Sequence, residues 1–262
     1  MDKDWTRNLF IEHGDLFQVF LEERFAKAED EARGLVRLFE AHGVKPEAMV
    51  LDLNCGIGRH AIHLAKLGYR VVGVDISPRY IARARELAVE HGVEGRTEFT
   101  VLDGREVGKG LADRRFDVVI NMFTSLGYYD EETDAAILRQ CRQLTQPGGI
   151  FVMDTGFRDW VVRHFQPSGI ARVRDILVVE ERKLSLETSR MENVWTFFAK
   201  TADGYEFKAE ILLDHRMYSL HELIALFGRA GWRYRAAYRD FELREPSLDG
   251  PRLILVAENP GG

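Results

Sequence analysis

The chain has 262 residues, 45% of them hydrophobic and 30% charged, the balance of a folded globular protein and not of a disordered or low-complexity one. Its 36 basic residues are outweighed by 42 acidic ones, a net charge of −6, so no broad basic field exists to neutralise a nucleic-acid backbone. Two cysteines, Cys55 and Cys141, can build neither a disulfide framework nor a four-thiolate zinc site. The amino terminus is charged where a signal peptide is apolar, and no stretch reaches the roughly 18 apolar residues of a membrane span; the expectation is a cytoplasmic protein with no membrane partner.

Leu9, Phe10, His13, Leu16, Phe17, Phe20, Leu21 and Phe25 recur at spacings of three and four, which predicts one amphipathic helix. Core packing is the ordinary role of such a stripe; the alternative is a cover whose aromatic face closes over a ligand. A second helix over 29–41 stops at Gly43 and Pro46. Then come an apolar strand at 48–54, Gly56 and Gly58, a helix at 59–67 and a strand at 69–76. Ser77-Pro78 caps a helix that runs to about residue 91. Strands at 97–102 and 116–122 follow, then a helix at 131–145 stopped by Pro147-Gly148-Gly149, and a strand at 150–154.

Apolar strands alternating with helices predict a parallel sheet covered on both faces. The rhythm then breaks. Residues 172–183, 189–201 and 205–216 read as three longer strands, the last two joined by the hairpin signal Ala202-Asp203-Gly204. It resumes with a helix at 219–230 and strands at 234–241 and 252–257. The predicted fold is α/β: a doubly wound, mostly parallel seven-stranded sheet from 1–155 and 217–262, with an antiparallel β subdomain inserted at 156–216.

Ligands of open parallel sheets lie outside the carboxyl ends of the strands. The first strand ends in Asp52, Asn54, Gly56 and Gly58, the second in Asp75-Ile76, the third in Asp103-Gly104 and the fourth in Asn121-Met122. Gly56 and Gly58 allow close backbone approach. Asp75 is placed to accept from both hydroxyls of a ribose, Asp103 from an adenine amino group, and Asp52 with the backbone near Asn54 to hold an ammonium. Singly, each is equally a cap or a turn residue; the four strand ends in order make the case. His60 and His63 share a helix face without a nearby acid or cysteine, so packing or capping is favoured and no metal site is assigned. Neither cysteine has the setting of a catalytic thiolate.

The segments Val50-Leu-Asp-Leu-Asn-Cys-Gly-Ile-Gly58, Val72-Gly-Val-Asp75, Leu102-Asp103, Phe116-Asp-Val-Val-Ile-Asn121 and Gln146-Pro-Gly-Gly-Ile-Phe151 resemble the class I S-adenosylmethionine-dependent methyltransferases, over about residues 45–155. The resemblance implies a Rossmann-like fold. It also implies S-adenosylmethionine as cofactor and S-adenosylhomocysteine as product: the glycine loop holds the methionine part, Asp75 the ribose and Asp103 the adenine, with Ile76, Gly104, Asn121 and Met122 beside them. Asn54 departs from the family's usual glycine, and asparagine best tolerates a left-handed backbone. A nicotinamide dehydrogenase is the rival, since Gly56-Ile-Gly58-Arg-His-Ala61 satisfies G-x-G-x-x-A; Asp52 beside a pyrophosphate counts against it. A non-catalytic S-adenosylmethionine- or nucleotide-binding module is the third reading.

A small-molecule acceptor is expected, with nitrogen, oxygen and carbon all open, and no nucleic acid. The insertion is expected to roof the methyl-transfer site, with the acceptor held by Tyr128, Tyr129, Phe157, Trp160, Trp195, Arg216 and Tyr218. His215 is the nearest general base and Tyr128 a second catalytic candidate. The aromatics of the insertion equally suit its own core or a homodimer interface.

Overall fold

The computed structural model describes residues 4–261. In chain order it holds α1 (Trp5–Arg7), a π-helical turn (Asn8–Glu12), α2 (Gly14–Glu23), α3 (Ala28–Ala41), β1 (Met49–Leu53), α4 (Arg59–Lys66), β2 (Arg70–Asp75), α5 (Pro78–Glu90) and β3 (Thr97–Val101). The middle section holds α6 (Val107–Gly110), β4 (Phe116–Asn121), α7 (Glu131–Leu144), β5 (Thr145–Gly156) and α8 (Arg158–Arg163). Then come β6 (Ser168–Val173), β7 (Ile176–Leu184), β8 (Arg190–Thr201), β9 (Gly204–Arg216), α9 (Leu220–Arg229), β10 (Arg233–Tyr238) and β11 (Arg252–Glu258).

Seven strands form one sheet in the order β10-β11-β5-β4-β1-β2-β3. β1 to β5 run parallel, while β11 and β10 are antiparallel additions beside β5. Alternation along each strand feeds two cores: Val50, Ile120 and Val152 face one layer of helices, Leu51, Val119 and Phe151 the other. Burial on both faces is why these strands read as unbroken apolar runs. The strand order reverses between β1 and β4, and a crevice opens there at the strand ends. Local chemistry sets the helix starts. Ser77 accepts from the Tyr80 amide with Pro78 at the first position of α5, and Ser219 and Glu222 form a reciprocal cap on α9.

β6 to β9 form a separate antiparallel sheet. Its inner face, including Val178, Phe197, Ile211 and Leu213, packs on Leu9 and Leu16 of the amino-terminal segment. Trp195 and Phe197 share that face, while Phe198 meets Phe207 on the other side, at a bulge.

Three expectations are corrected. The stripe from Leu9 to Phe25 is not one helix: a π-helical turn and a break at His13 (φ −118°) split it. The extra residue per turn lets the stripe serve two walls, so Leu16 packs on the second sheet while Leu21 joins the first core. The strand expected at 172–183 is two strands joined at Arg174-Asp175, with Val173 opposite Ile176 and Arg174 at φ 52°. Arginine in a left-handed turn carries no sequence signal. Finally, residues 145–149 extend β5 and do not form a turn before it.

Candidate active site

A cavity of about 460 Å³ lies between the strand ends of the large sheet, the amino-terminal segment and the second sheet. Asp52, Asn54, Gly56, Asp75, Ile76, Asp103, Gly104 and Met122 all line it. So do Tyr128, Tyr129, Trp195 and His215.

The loop after β1 is held by its own side chains. Asn54 sits at φ 62°, and its side-chain amide donates to the Ser125 carbonyl at 2.9 Å. Asp75 accepts from the Gly56 amide at 2.8 Å through one oxygen and from the Ser77 amide at 2.9 Å through the other. Burial pushes the Asp75 carboxyl up to about 6 despite those bonds. Asp52 is 1% exposed, and its Oδ2 has no hydrogen-bond partner. Burial raises its carboxyl to about 7, with Arg59 opposing and Asp75 adding to the rise. A buried acceptor without a donor is costly unless a ligand supplies one, and an ammonium fits.

Asp103 differs from expectation, because its carboxylate already holds Arg105. The guanidinium approaches at 3.0 Å through Nε and 2.6 Å through Nη2, and stacks over the Tyr129 ring at 4.5 Å. Burial would raise the Asp103 carboxyl, but the Arg105 bonds outweigh it and hold it below its usual value.

Six candidates do not line the cavity. Gly58 begins α4 at φ 75°, and a Cβ there would meet the Phe99 ring at 2.8 Å, so its role is close packing. Asn121 is buried behind the site, its amide donating to the carbonyls of Leu53 (3.1 Å) and Ser125 (3.3 Å). Phe157 and Trp160 pack into the large sheet's core, because α8 turns the chain back onto that domain before the second sheet starts. Arg216 bridges Glu131 and Glu222, and the Tyr218 hydroxyl donates to Asp134 at 2.7 Å. These contacts tie the end of β9 to α7 and α9, and neither residue lines the cavity.

Other wall residues had weak sequence signals or none. Phe123 and Thr124 line the cavity in consecutive left-handed conformations, φ 62° and 59°. Asp154 holds them: its carbonyl accepts from the Thr124 amide at 2.9 Å and its carboxylate from the Phe123 amide at 3.3 Å. Arg24 and Arg59 stack on the Phe123 ring at 4.5 and 5.3 Å. His60 has an acid partner after all, far away in sequence. Glu31 on α3 meets Arg59 at 2.6 Å, His60 at 2.9 Å and Arg252 at 2.5 Å. His63 bonds the Phe25 carbonyl at 3.1 Å. Glu180 lines the cavity from β7; only strand parity could have shown an acid on that inner face.

His215 is half-buried in the wall, and burial and Arg190 lower its imidazole to about 4, so it stands neutral at pH 7 and is a weak proton acceptor in the free protein. Burial raises the Tyr128 hydroxyl above its ordinary value, which leaves it a donor. Cys55 is buried with its thiol pushed far up, and burial lifts Cys141 to about 12, so neither is a thiolate.

Residues 50–149 match the family model described as a methyltransferase domain. The chain therefore carries a methyltransferase domain. A protein of Bacillus subtilis strain 168 named as a methyltransferase, YqeM, is 24% identical over 80% of this chain and 83% of its own length. The chain covers only 16% of a 23S rRNA uracil-C5-methyltransferase of Bordetella avium and 40% of a ubiquinone biosynthesis O-methyltransferase of Cereibacter sphaeroides. Among solved structures, an S-adenosylmethionine-dependent methyltransferase from Clostridium acetobutylicum aligns with a TM-score of 0.77 at 13% identity, over 95% of this chain and 98% of that one. The amino pentose methyltransferase CalS10 of Micromonospora echinaspora aligns at 0.64 and 22% identity, over 88% of this chain and 91% of its own. These likenesses establish the shared fold.

Proposed function

We propose that this chain is a class I S-adenosylmethionine-dependent methyltransferase that acts on a small molecule, not a nucleic acid, and that its acceptor lies between the strand-end loops and the second sheet. In this reading residues 1–155 and 217–262 hold the cofactor, the amino-terminal helices cover it, and the inserted sheet forms the acceptor wall. The observation that carries it is the cavity of about 460 Å³ at the strand ends. That is the size of a small-ligand pocket, and its walls combine the cofactor-side acids with aromatic rings from the amino-terminal segment and β8. The net charge of −6 argues the same way. CalS10, named for an amino sugar, shows that this fold serves such acceptors.

Asp52 takes the ammonium of the cofactor's methionine part through its free Oδ2, Asp75 the ribose, and Asp103 with Gly104 the adenine edge; Asp103 does so while braced by Arg105. The bound cofactor supplies a methyl group already activated by a sulfonium. The protein's part is to hold the acceptor in line at roughly 3 Å, exclude water and accept a proton. His215, neutral in the cavity wall, is the candidate base, and Tyr128 orients the acceptor. The outer face of the second sheet exposes Ile170, Phe207 and Leu212, the surface a homodimer would cover. No described helix is long and apolar enough to cross a membrane, and a cytoplasmic location belongs to this reading.

Thermal melts with S-adenosylmethionine, S-adenosylhomocysteine and NADH, then a methyl-transfer screen over metabolites and tRNA, test it. Stabilisation by the first two ligands and turnover on a metabolite is the expected result. Stabilisation by NADH alone, or turnover on tRNA alone, refutes it.

A further inference from the structure

One end of the cavity lies beyond the strand ends where the cofactor is placed. On the second sheet, Glu180 is opposite Trp195, which is opposite Ile211, while His215 lies four residues further along β9, opposite Met191. Two strand spacings and four residue rises put the backbones of Glu180 and His215 roughly 17 Å apart. Both nevertheless line the same cavity. The His215 end is tied to the strand-end loops, since the Arg216 amide donates to the Gly127 carbonyl at 2.7 Å. Glu180 therefore marks the opposite end.

A row of aromatic rings joins the two. Centroids step from Tyr128 to Trp5 (4.9 Å), Trp5 to Phe10 (5.9 Å), Phe10 to Phe17 (5.5 Å) and Phe17 to Trp195 (6.0 Å). Glu180 shares its strand face with the core residue Val178, and its side chain is only 14% exposed. Arg182 at 2.7 Å and the Asn193 amide at 2.9 Å both hold its Oε2. They fix the carboxylate and leave Oε1, among the described residues, without a protein donor.

We propose that Glu180 anchors an ammonium group of the acceptor, at the end remote from the methylated atom, with the aromatic row holding the chain between. A fixed carboxylate of low exposure selects a donor with positive charge, and ring faces along the path favour a cation over a neutral group. The inference rests on the methyltransferase reading of the cavity and deepens it. It makes the acceptor an elongated molecule with a basic nitrogen at its far end.

Calorimetry on protein saturated with S-adenosylhomocysteine tests this. Linear α,ω-diamines from 1,4-diaminobutane to 1,10-diaminodecane are compared with monoamines and amino alcohols of equal length. The expected result is one length range at which the diamine binds roughly tenfold or more tightly than both partners. Glu180→Gln should abolish that preference while keeping wild-type affinity for S-adenosylhomocysteine. Equal binding of the three series to the wild type, no binding by any of them, or an undiminished preference in a folded Glu180→Gln variant overturns the proposal. Failure of S-adenosylhomocysteine to bind the wild type would instead overturn the reading beneath it.

Discussion

Asp52→Asn separates what the free protein gives up from what the cofactor gains. Asp52 is 1% exposed, its Oδ2 lacks a donor, and its carboxyl is raised to about 7, against about 3.9 in an unfolded chain. Because the folded value lies above the unfolded one, the native state binds the proton more tightly. Stability is full below about pH 4 and declines as pH rises towards 7. Relative to an uncharged residue of the same shape, the penalty is about 1–2 kcal/mol at pH 5 and about 4 kcal/mol at pH 8. Asparagine cannot ionise, so the variant should melt above the wild type at pH 8. The gap should widen by roughly 5 °C between pH 5 and pH 8, at about 2 °C per kcal/mol for a chain of this size. Cofactor binding should move the other way, because the ammonium loses a charge-assisted bond of about 1.5–3 kcal/mol, roughly ten- to a hundredfold in affinity. Thermal melts at the two pH values and calorimetry at pH 8 read both effects. A variant that melts below the wild type equally at both pH values refutes the argument from uncompensated burial. Unchanged affinity for S-adenosylmethionine refutes the ammonium assignment.

Asp75→Ala removes the acceptor of the Gly56 and Ser77 amides as well as the proposed ribose contact, so calorimetry should show cofactor affinity reduced by about 1.5–3 kcal/mol; wild-type affinity would disprove the contact. His215→Gln should lower turnover on an identified acceptor by roughly a hundredfold or more with cofactor affinity intact, and full turnover would exclude His215 as the base. Since the folded His215 value of about 4 lies below the ordinary 6.5, its contribution to stability is complete above about pH 6.5 and lost as pH falls towards 4. Melts of the wild type should therefore drop faster than those of His215→Gln across that window. Gly127→Ala should cost roughly 1–3 kcal/mol, because φ is 92° and the new Cβ would meet the Arg216 carbonyl oxygen at 2.3 Å; a chemical denaturation midpoint equal to wild type would contradict this.

The acids and glycines at the strand ends were legible because each belongs to a short local pattern: an apolar run, then a turn, then a helix cap. The chain from Val50 to Asp75 therefore announces both the parallel sheet and the loop that lines the cavity. The same local logic failed where a residue's partner is remote. Phe157 and Trp160 have the composition of a binding wall, yet α8 folds them into the core. Arg216 and Tyr218 have the chemistry of substrate ligands, yet Glu131, Glu222 and Asp134 engage them. His60 looks isolated until α3 brings Glu31 within 2.9 Å.

Periodicity along the sequence by itself determined the α/β sheet, the inserted antiparallel strands and the acids ranged across the strand ends, because local patterns fix which face of an element is buried. Only the tertiary structure decided which of the aromatic and polar residues share the cavity. The amino-terminal segment, the loop after β4 and the inner face of the second sheet converge there from residues as far apart as Trp5 and His215. Burial and charge at such a meeting point depend on every element that arrives, which is why Asp52, Glu31 and Glu180 acquire their character only in the folded chain.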